Sequence, residues 1–125
     1  MSFDTGIIVK SATAYAGGML VVTRYRVDDG DVEGFSRDAE AAMEVLAERP
    51  GLVGAWLGRN TDERDLWTLT LLWHDVRSYR RALSAYDVKV SAVPLLSRAV
   101  NEPSAYEVVG RWQAGDDPGG SLGGS

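Results

Sequence analysis

Three features of the 125-residue chain predict an α+β fold of ferredoxin-like type, with the order βαββαβ, four antiparallel strands and helices on one face of the sheet. Stretches with period-two hydrophobicity alternate with stretches of helical period. Two strand-like runs stand back to back across a short polar loop. Turn-forming clusters of Asp, Gly, Asn and Pro separate the elements.

The elements follow in order. Met19 to Val27 (MLVVTRYRV) carries the Val, Thr and Tyr of a strand and closes on Asp28-Asp29-Gly30-Asp31. A helix is predicted next, because Val32, Phe35, Ala39, Ala42, Met43 and Leu46 recur in steps that fall on one stripe. Asp31 is its expected N-cap and Glu33 suits the positive first turn. Arg49-Pro50-Gly51 ends it with a cation followed by two breakers. Leu52 to Arg59 (LVGAWLGR) and Leu66 to His74 (LWTLTLLWH) read as a hairpin around the polar loop from Asn60 to Asp65. Asp75 is the expected cap of a second helix carrying Val76, Tyr79, Arg80 and Leu83, with Tyr86 following at similar spacing. Pro94 suits the first turn of a short helix from Pro94 to Ala99, and a last strand is predicted from Ser104 to Trp112. The domain is thus expected over residues 17–112. Before it lies an extension, residues 1–16, in which Gly6 to Lys10 reads as a short strand or a clasp on a neighbour. After it, residues 113–125 (QAGDDPGGSLGGS) cannot bury enough surface to offset their ordering entropy, and are expected to be disordered or a linker.

Composition removes whole classes of chemistry. There is no cysteine and a single histidine, His74, so thiolate nucleophiles, disulfides, iron–sulfur clusters and multi-histidine metal sites are excluded. Thirteen Lys and Arg against eighteen Asp and Glu give a net charge of −5, with no basic run to replace phosphate counterions, so nucleic acid is not an expected partner. No apolar stretch approaches the roughly 20 residues of a membrane span. The first residues lack the positive charge of a secretory leader, and the chain reads as a small, soluble, cytoplasmic protein. Neither a GxGxxG nor a GxxxxGK[ST] fingerprint is present, and no Ser sits in a GxSxG turn. No cofactor is expected. His74, at a strand end before a helix cap, reads as a surface or capping residue.

The sheet carries apolar residues on both faces. Trp67, Leu69, Leu71 and Trp73 point one way while Leu66, Thr68, Thr70 and Leu72 point the other; Met19, Val21, Thr23 and Tyr25 alternate with Leu20 and Val22. A sheet wetted on one side alternates more cleanly. Two helices cover one side only, so either Thr68 and Thr70 suffice for a wet face or, as favoured here, the other side meets a second copy in a homodimer.

The distinctive constellation is aromatic. Trp67 and Trp73 share a strand face, and Tyr79 follows on the next helix, so an indole N–H and a phenol O–H converge on one end of the gap between sheet and helices. There they either orient a planar, oxygenated ligand between apolar walls or simply anchor strand to helix. Tyr25, Phe35, Leu69, Trp67 and Tyr86 are the residues expected to line such a substrate site. Arg24, Arg26, Arg80 and Arg81 belong on solvated faces, and Arg59 and Asn60 are either turn residues or ligand contacts.

Leu66-Trp67-Thr68-Leu69-Thr70-Leu71-Leu72-Trp73 followed by Tyr79-Arg80, and Arg49-Pro50-Gly51-Leu52 before it, resemble the antibiotic biosynthesis monooxygenase family of dimeric α/β barrels. Val88 to Tyr106 resembles actinobacterial members of that family. The resemblance spans roughly Met19 to Val109. It implies a homodimer and cofactor-independent oxygenation of a small aromatic, polyketide- or quinol-type substrate by O2, with Trp73 and Tyr79 as the catalytic pair. Such members carry an Asn four residues before the Trp, where this chain has Leu69. The alternative the departure raises is a non-catalytic ligand-binding or assembly module on the same scaffold. A haem-degrading sister group places Asn, Trp and His where this chain has Thr23, Arg81 and Val90, so haem degradation is not expected.

Overall fold

In the computed structural model, which describes residues 18–112 and 114, β1 (Met19–Arg26) lies at the middle of a four-stranded antiparallel sheet. A single 3-10 turn, Asp29–Asp31, leads into α1 (Val32–Ala47); β2 (Leu52–Arg59) and β3 (Leu66–Trp73) form the hairpin; then come α2 (Val76–Ser84), α3 (Tyr86–Ser91), α4 (Val93–Leu96) and β4 (Ala105–Glu107). The strand order is β2-β3-β1-β4. β3 pairs with β1 along its whole length, from Met19 opposite Trp73 to Arg26 opposite Leu66. β1 and β2 therefore run parallel on either side of β3, which is the split βαβ arrangement expected from the element order. Residues 17–108 make up one compact unit; the described residues beyond it, 109–112 and 114, have no regular secondary structure.

The helix-facing side of the sheet is the core. Met19, Val21, Thr23 and Tyr25 of β1 and Leu69, Leu71 and Trp73 of β3 are buried. Against them α1 sets Phe35, Ala39, Ala42 and Leu46, whose steps of four, three and four keep one stripe on the sheet. Ala82, Val88, Ala92 and Leu95 complete the layer from α2, α3 and α4.

Four local expectations are corrected. Asp31 does not cap α1 with its side chain; instead the 3-10 turn, closed by the Asp31 N–H donating to the Asp28 carbonyl at 2.8 Å, feeds the helix. The second helix does not continue to Tyr86, because Ala85 is extended (φ −72°, ψ 141°) and breaks it into α2 and α3. The short helix runs Val93–Leu96 rather than to Ala99. The last strand is three residues long rather than nine, pairing only Met19, Leu20 and Val21 of β1. The expected strand or clasp at residues 6–10 and the glycine-rich tail lie outside the described residues, residue 114 aside.

The opposite face is apolar and unroofed by any described element. Register sets Gly54, Leu72, Leu20 and Tyr106 in one row and Trp56, Thr70 and Val22 in the next. The Trp56 ring lies back over Gly54, where a Cβ would meet it at 2.7 Å, yet Trp56 is 57% and Tyr106 51% exposed. The margin is polar: Arg24 makes a two-pronged ion pair with Glu102, both contacts at 2.7 Å, and Arg26 reaches Glu63 and Asp65.

Candidate active site

The site is built where β3 hands over to α2. Trp73 is the last residue of β3, opposite both Met19 and Leu52. The His74 N–H donates to the Gly51 carbonyl at 2.7 Å, tying the strand end to the α1–β2 junction. Asp75 then caps α2, its Oδ1 accepting the Ser78 N–H at 2.7 Å. That bond to the charged form holds the Asp75 carboxyl below its ordinary range. With the helix start fixed, Tyr79 falls at the end of the first turn, and its ring centroid lies 5.8 Å from that of Trp73, tilted by 51°. The pair expected from the sequence is thus brought together. His74 itself is exposed, its ring 3.5 Å from Asp75, as a surface residue should be.

The two aromatic residues stand differently toward solvent. Trp73 is 0% exposed and its Nε1–H is buried without a partner. Tyr79 is half-buried, and desolvation pushes its phenol above the ordinary tyrosine value, so it stays protonated at neutral pH. Tyr79 opens onto a cavity of about 590 Å³ whose other lining residues are Leu83, Lys89, Val93, Leu96 and Ser97. The volume falls within the usual range for small-molecule sites. Trp73 does not line it: the indole meets the cavity only through the Tyr79 ring.

The remaining expected residues are placed elsewhere. Tyr25, Phe35 and Trp67 form a second cluster, with ring centroids 5.2 and 5.4 Å apart in succession. Thr23 Oγ1 donates to the Leu69 carbonyl at 3.3 Å, so the Tyr25 hydroxyl is the donor in its 2.8 Å bond to Thr23 Oγ1. Tyr25, Phe35 and Leu69 are sealed in the core, and burial raises the Tyr25 phenol as well. None of these three lines the Tyr79 cavity. Trp67 carries the Arg59 guanidinium on its ring at 4.9 Å and leaves its own Nε1 unpartnered. Tyr86 is 82% exposed, because the extended Ala85 turns it off the stripe that Val76, Tyr79 and Leu83 share. Asn60 is a turn residue, its Oδ1 accepting from the Asp62 and Glu63 N–H groups. Among the described residues no three His, Asp or Glu side chains gather as metal ligands would.

Sequence reasoning missed the cavity wall itself. Leu83 was visible on the second helix, but Lys89 and Val93 stand on the short helices that follow the unforeseen break, and Leu96 and Ser97, though inside the predicted Pro94–Ala99 helix, were not read as lining a site. A usable signal was the run Val88, Ala92, Leu95, all buried, at steps of four and three.

The sequence profile of the antibiotic biosynthesis monooxygenase family matches residues 18–90, more than half of the chain. The chain belongs to that family. Among solved structures it is similar to SnoaB, a cofactor-independent oxygenase from Streptomyces nogalater, at 22% identity, covering 80% of this chain and 99% of that one with a TM-score of 0.65. It is also similar to a conserved protein from Methanosarcina mazei Go1 (18% identity, 72% and 91% coverage, TM-score 0.62). At these identities the likeness is one of fold. Comparison with curated proteins returns no match. The family match runs from β1 into α3 and stops before Val93, so it includes Trp73, Tyr79, Leu83 and Lys89 but not the α4 side of the cavity.

Proposed function

We propose that the chain is a homodimeric, cofactor-independent monooxygenase that oxidises a small aromatic substrate with O2. The observation that carries the proposal is the apolar cavity of about 590 Å³ whose one phenol, Tyr79, is neutral, its pKa raised further by burial, and packs at a tilt against Trp73. An anthrone-type substrate loses a proton from its ring CH2 to solvent water, and the resulting electron-rich anion passes an electron to O2. Recombination forms a carbon–oxygen bond to a peroxide, which takes up a proton and loses water to leave a ketone. The balance is CH2 plus O2 giving C=O plus H2O. Tyr79 supports this in two ways: its O–H donates to the oxyanion of the ionised ring system, and it relays the proton that the peroxide acquires. Trp73 is a positioning residue that acts through the Tyr79 ring.

The dimer is proposed through the face of Trp56, Leu20, Val22, Leu72 and Tyr106, which is apolar at its centre and ion-paired at its margin. Sedimentation of a particle with twice the 13.5 kDa protomer mass is the expected result, and a monomer at micromolar concentration refutes it. A second reading, a non-catalytic binding module, is favoured by the full burial of Leu69 and Trp73, which leaves Tyr79 as the only aromatic side chain among the described residues that line the cavity. Oxygen uptake with an anthrone-type substrate decides between them. Tyr79→Phe is expected to lower kcat about 100-fold, the usual scale for a lost proton relay, while keeping the wild-type circular dichroism. Equal rates for wild type and Tyr79→Phe would remove Tyr79 from the reaction, and binding without any oxygen uptake would establish the second reading.

A further inference from the structure

We propose that the ligand of the Tyr79 cavity is an aromatic acid, with its carboxylate held at the rim by the Lys89 ammonium. The inference rests on the cavity being the substrate site and adds the chemical class of what enters it.

The polar inventory of the cavity is short. Leu83, Val93 and Leu96 offer only aliphatic surface. Ser97 donates its hydroxyl proton to the Val93 carbonyl at 2.9 Å, so it faces a ligand as an acceptor and cannot favour an anion. The Tyr79 hydroxyl is a neutral donor. Lys89 is the single charged side chain on the wall. Arg24, Arg26, Arg49 and Arg98 each have a carboxylate within 4 Å; Lys89 has none among the described residues, as is also true of Arg37 and Arg77, but of these it alone lines the cavity. In a chain of net charge −5, a cation without a protein counter-charge beside an apolar chamber is a place for a ligand's negative group. The neutral Tyr79 phenol completes the arrangement by donating toward a ring oxygen rather than repelling it. An aromatic body seated against Leu83, Val93 and Leu96, with its acid at Lys89 and a ring oxygen at Tyr79, uses every lining group except Ser97.

Calorimetric titration of 2-naphthoate and of its uncharged counterpart 2-naphthamide tests this on the full chain. Wild type is expected to bind the acid about fivefold or more tightly than the amide, the scale of one partly screened charge contact. Lys89→Met should erase the preference by weakening the acid alone, Lys89→Arg should retain it, and added salt should narrow it. Equal affinity for both probes in wild type, or a preference that survives Lys89→Met, overturns the assignment of Lys89 while leaving the cavity as the site. A Lys89 that merely suits the end of α3 gives that same result. Leu83→Trp, which sets a bulkier ring against Tyr79 on the apolar wall and narrows the cavity, is expected to weaken both probes. If it weakens neither, or if neither probe binds, the cavity is not the site, and the aromatic-acid proposal falls together with the reading on which it rests.

Discussion

Substituting Gly51 by Ala is the sharpest single test of how this fold builds its site. Gly51 has φ 96°, in the region that favours glycine, and a Cβ on it would overlap both Cβ and Oγ of Ser78. Ser78 is the residue whose N–H Asp75 caps, immediately before Tyr79, so the contact presses the α1–β2 junction against the first turn of α2. The left-handed backbone costs an alanine about 1–3 kcal/mol and the overlap about 1–3 kcal/mol more, against about 0.4–1 kcal/mol gained from a stiffer unfolded chain. The net loss is about 1–5.5 kcal/mol, centred on about 3 kcal/mol, against the roughly 5–15 kcal/mol that holds a domain of this size. Urea unfolding followed by tryptophan fluorescence measures it. The two contributions separate in a cycle with Ser78→Gly, which removes both overlapping atoms. In that background Gly51→Ala should lose only the backbone part less the unfolded-chain gain, about 0–2.5 kcal/mol. A Gly51→Ala chain within about 0.5 kcal/mol of wild type, or an identical loss in both backgrounds, would refute the packing argument.

Two further outcomes follow from buried or capping groups. Thr23→Val leaves the Tyr25 hydroxyl donating to nothing inside the core and should cost about 1–3 kcal/mol, whereas Thr23→Ser keeps the acceptor; urea midpoints of the two variants distinguish them. For Asp75 the sign is set by its depressed carboxyl: the cap is fully effective above the ordinary carboxylate value of 3.8 and fails as pH falls through the lower value it has in the folded chain. The difference in melting temperature between wild type and Asp75→Ala should therefore be steady at neutral pH and vanish in strong acid. A difference unchanged down to pH about 2 would show that the charge on Asp75 contributes nothing to the cap.

The sheet was legible because its residues have one dominant preference each. The alternation in Leu66–Trp73 put Trp73, Leu71 and Leu69 on the core side without reference to any neighbour, and Pro50-Gly51 marked a turn that only a glycine backbone completes. The convergence of Trp73 and Tyr79 was legible for the same reason, since a strand end, a cap and one helical turn leave little freedom. What was not legible depends on long-range pairing. Nothing local stops β4 at Glu107; Val108 and Val109 are as apolar as Tyr106, and the Val108 N–H still donates to the Gly18 carbonyl at 3.0 Å just past the last paired residues. The break at Ala85 is similar, because alanine favours helix and the extended residue is imposed by the need to seat both Ala82 and Val88 in the core. Tyr86 was misjudged and Lys89 passed over as a direct result.

That break divides responsibility along the chain. The residues that anchor Tyr79 belong to the strand end, its cap and the first turn beyond it, all of which precede Ala85. The opposite wall, from Lys89 to Ser97, hangs on two short helical pieces that share no backbone hydrogen-bond ladder with α2. Exchanges at Lys89, Val93, Leu96 and Ser97, which leave the buried Val88, Ala92 and Leu95 in place, can therefore reshape the chamber and change what it admits while its aromatic anchor stays in register, which makes these positions the natural handle for altering ligand preference in the laboratory.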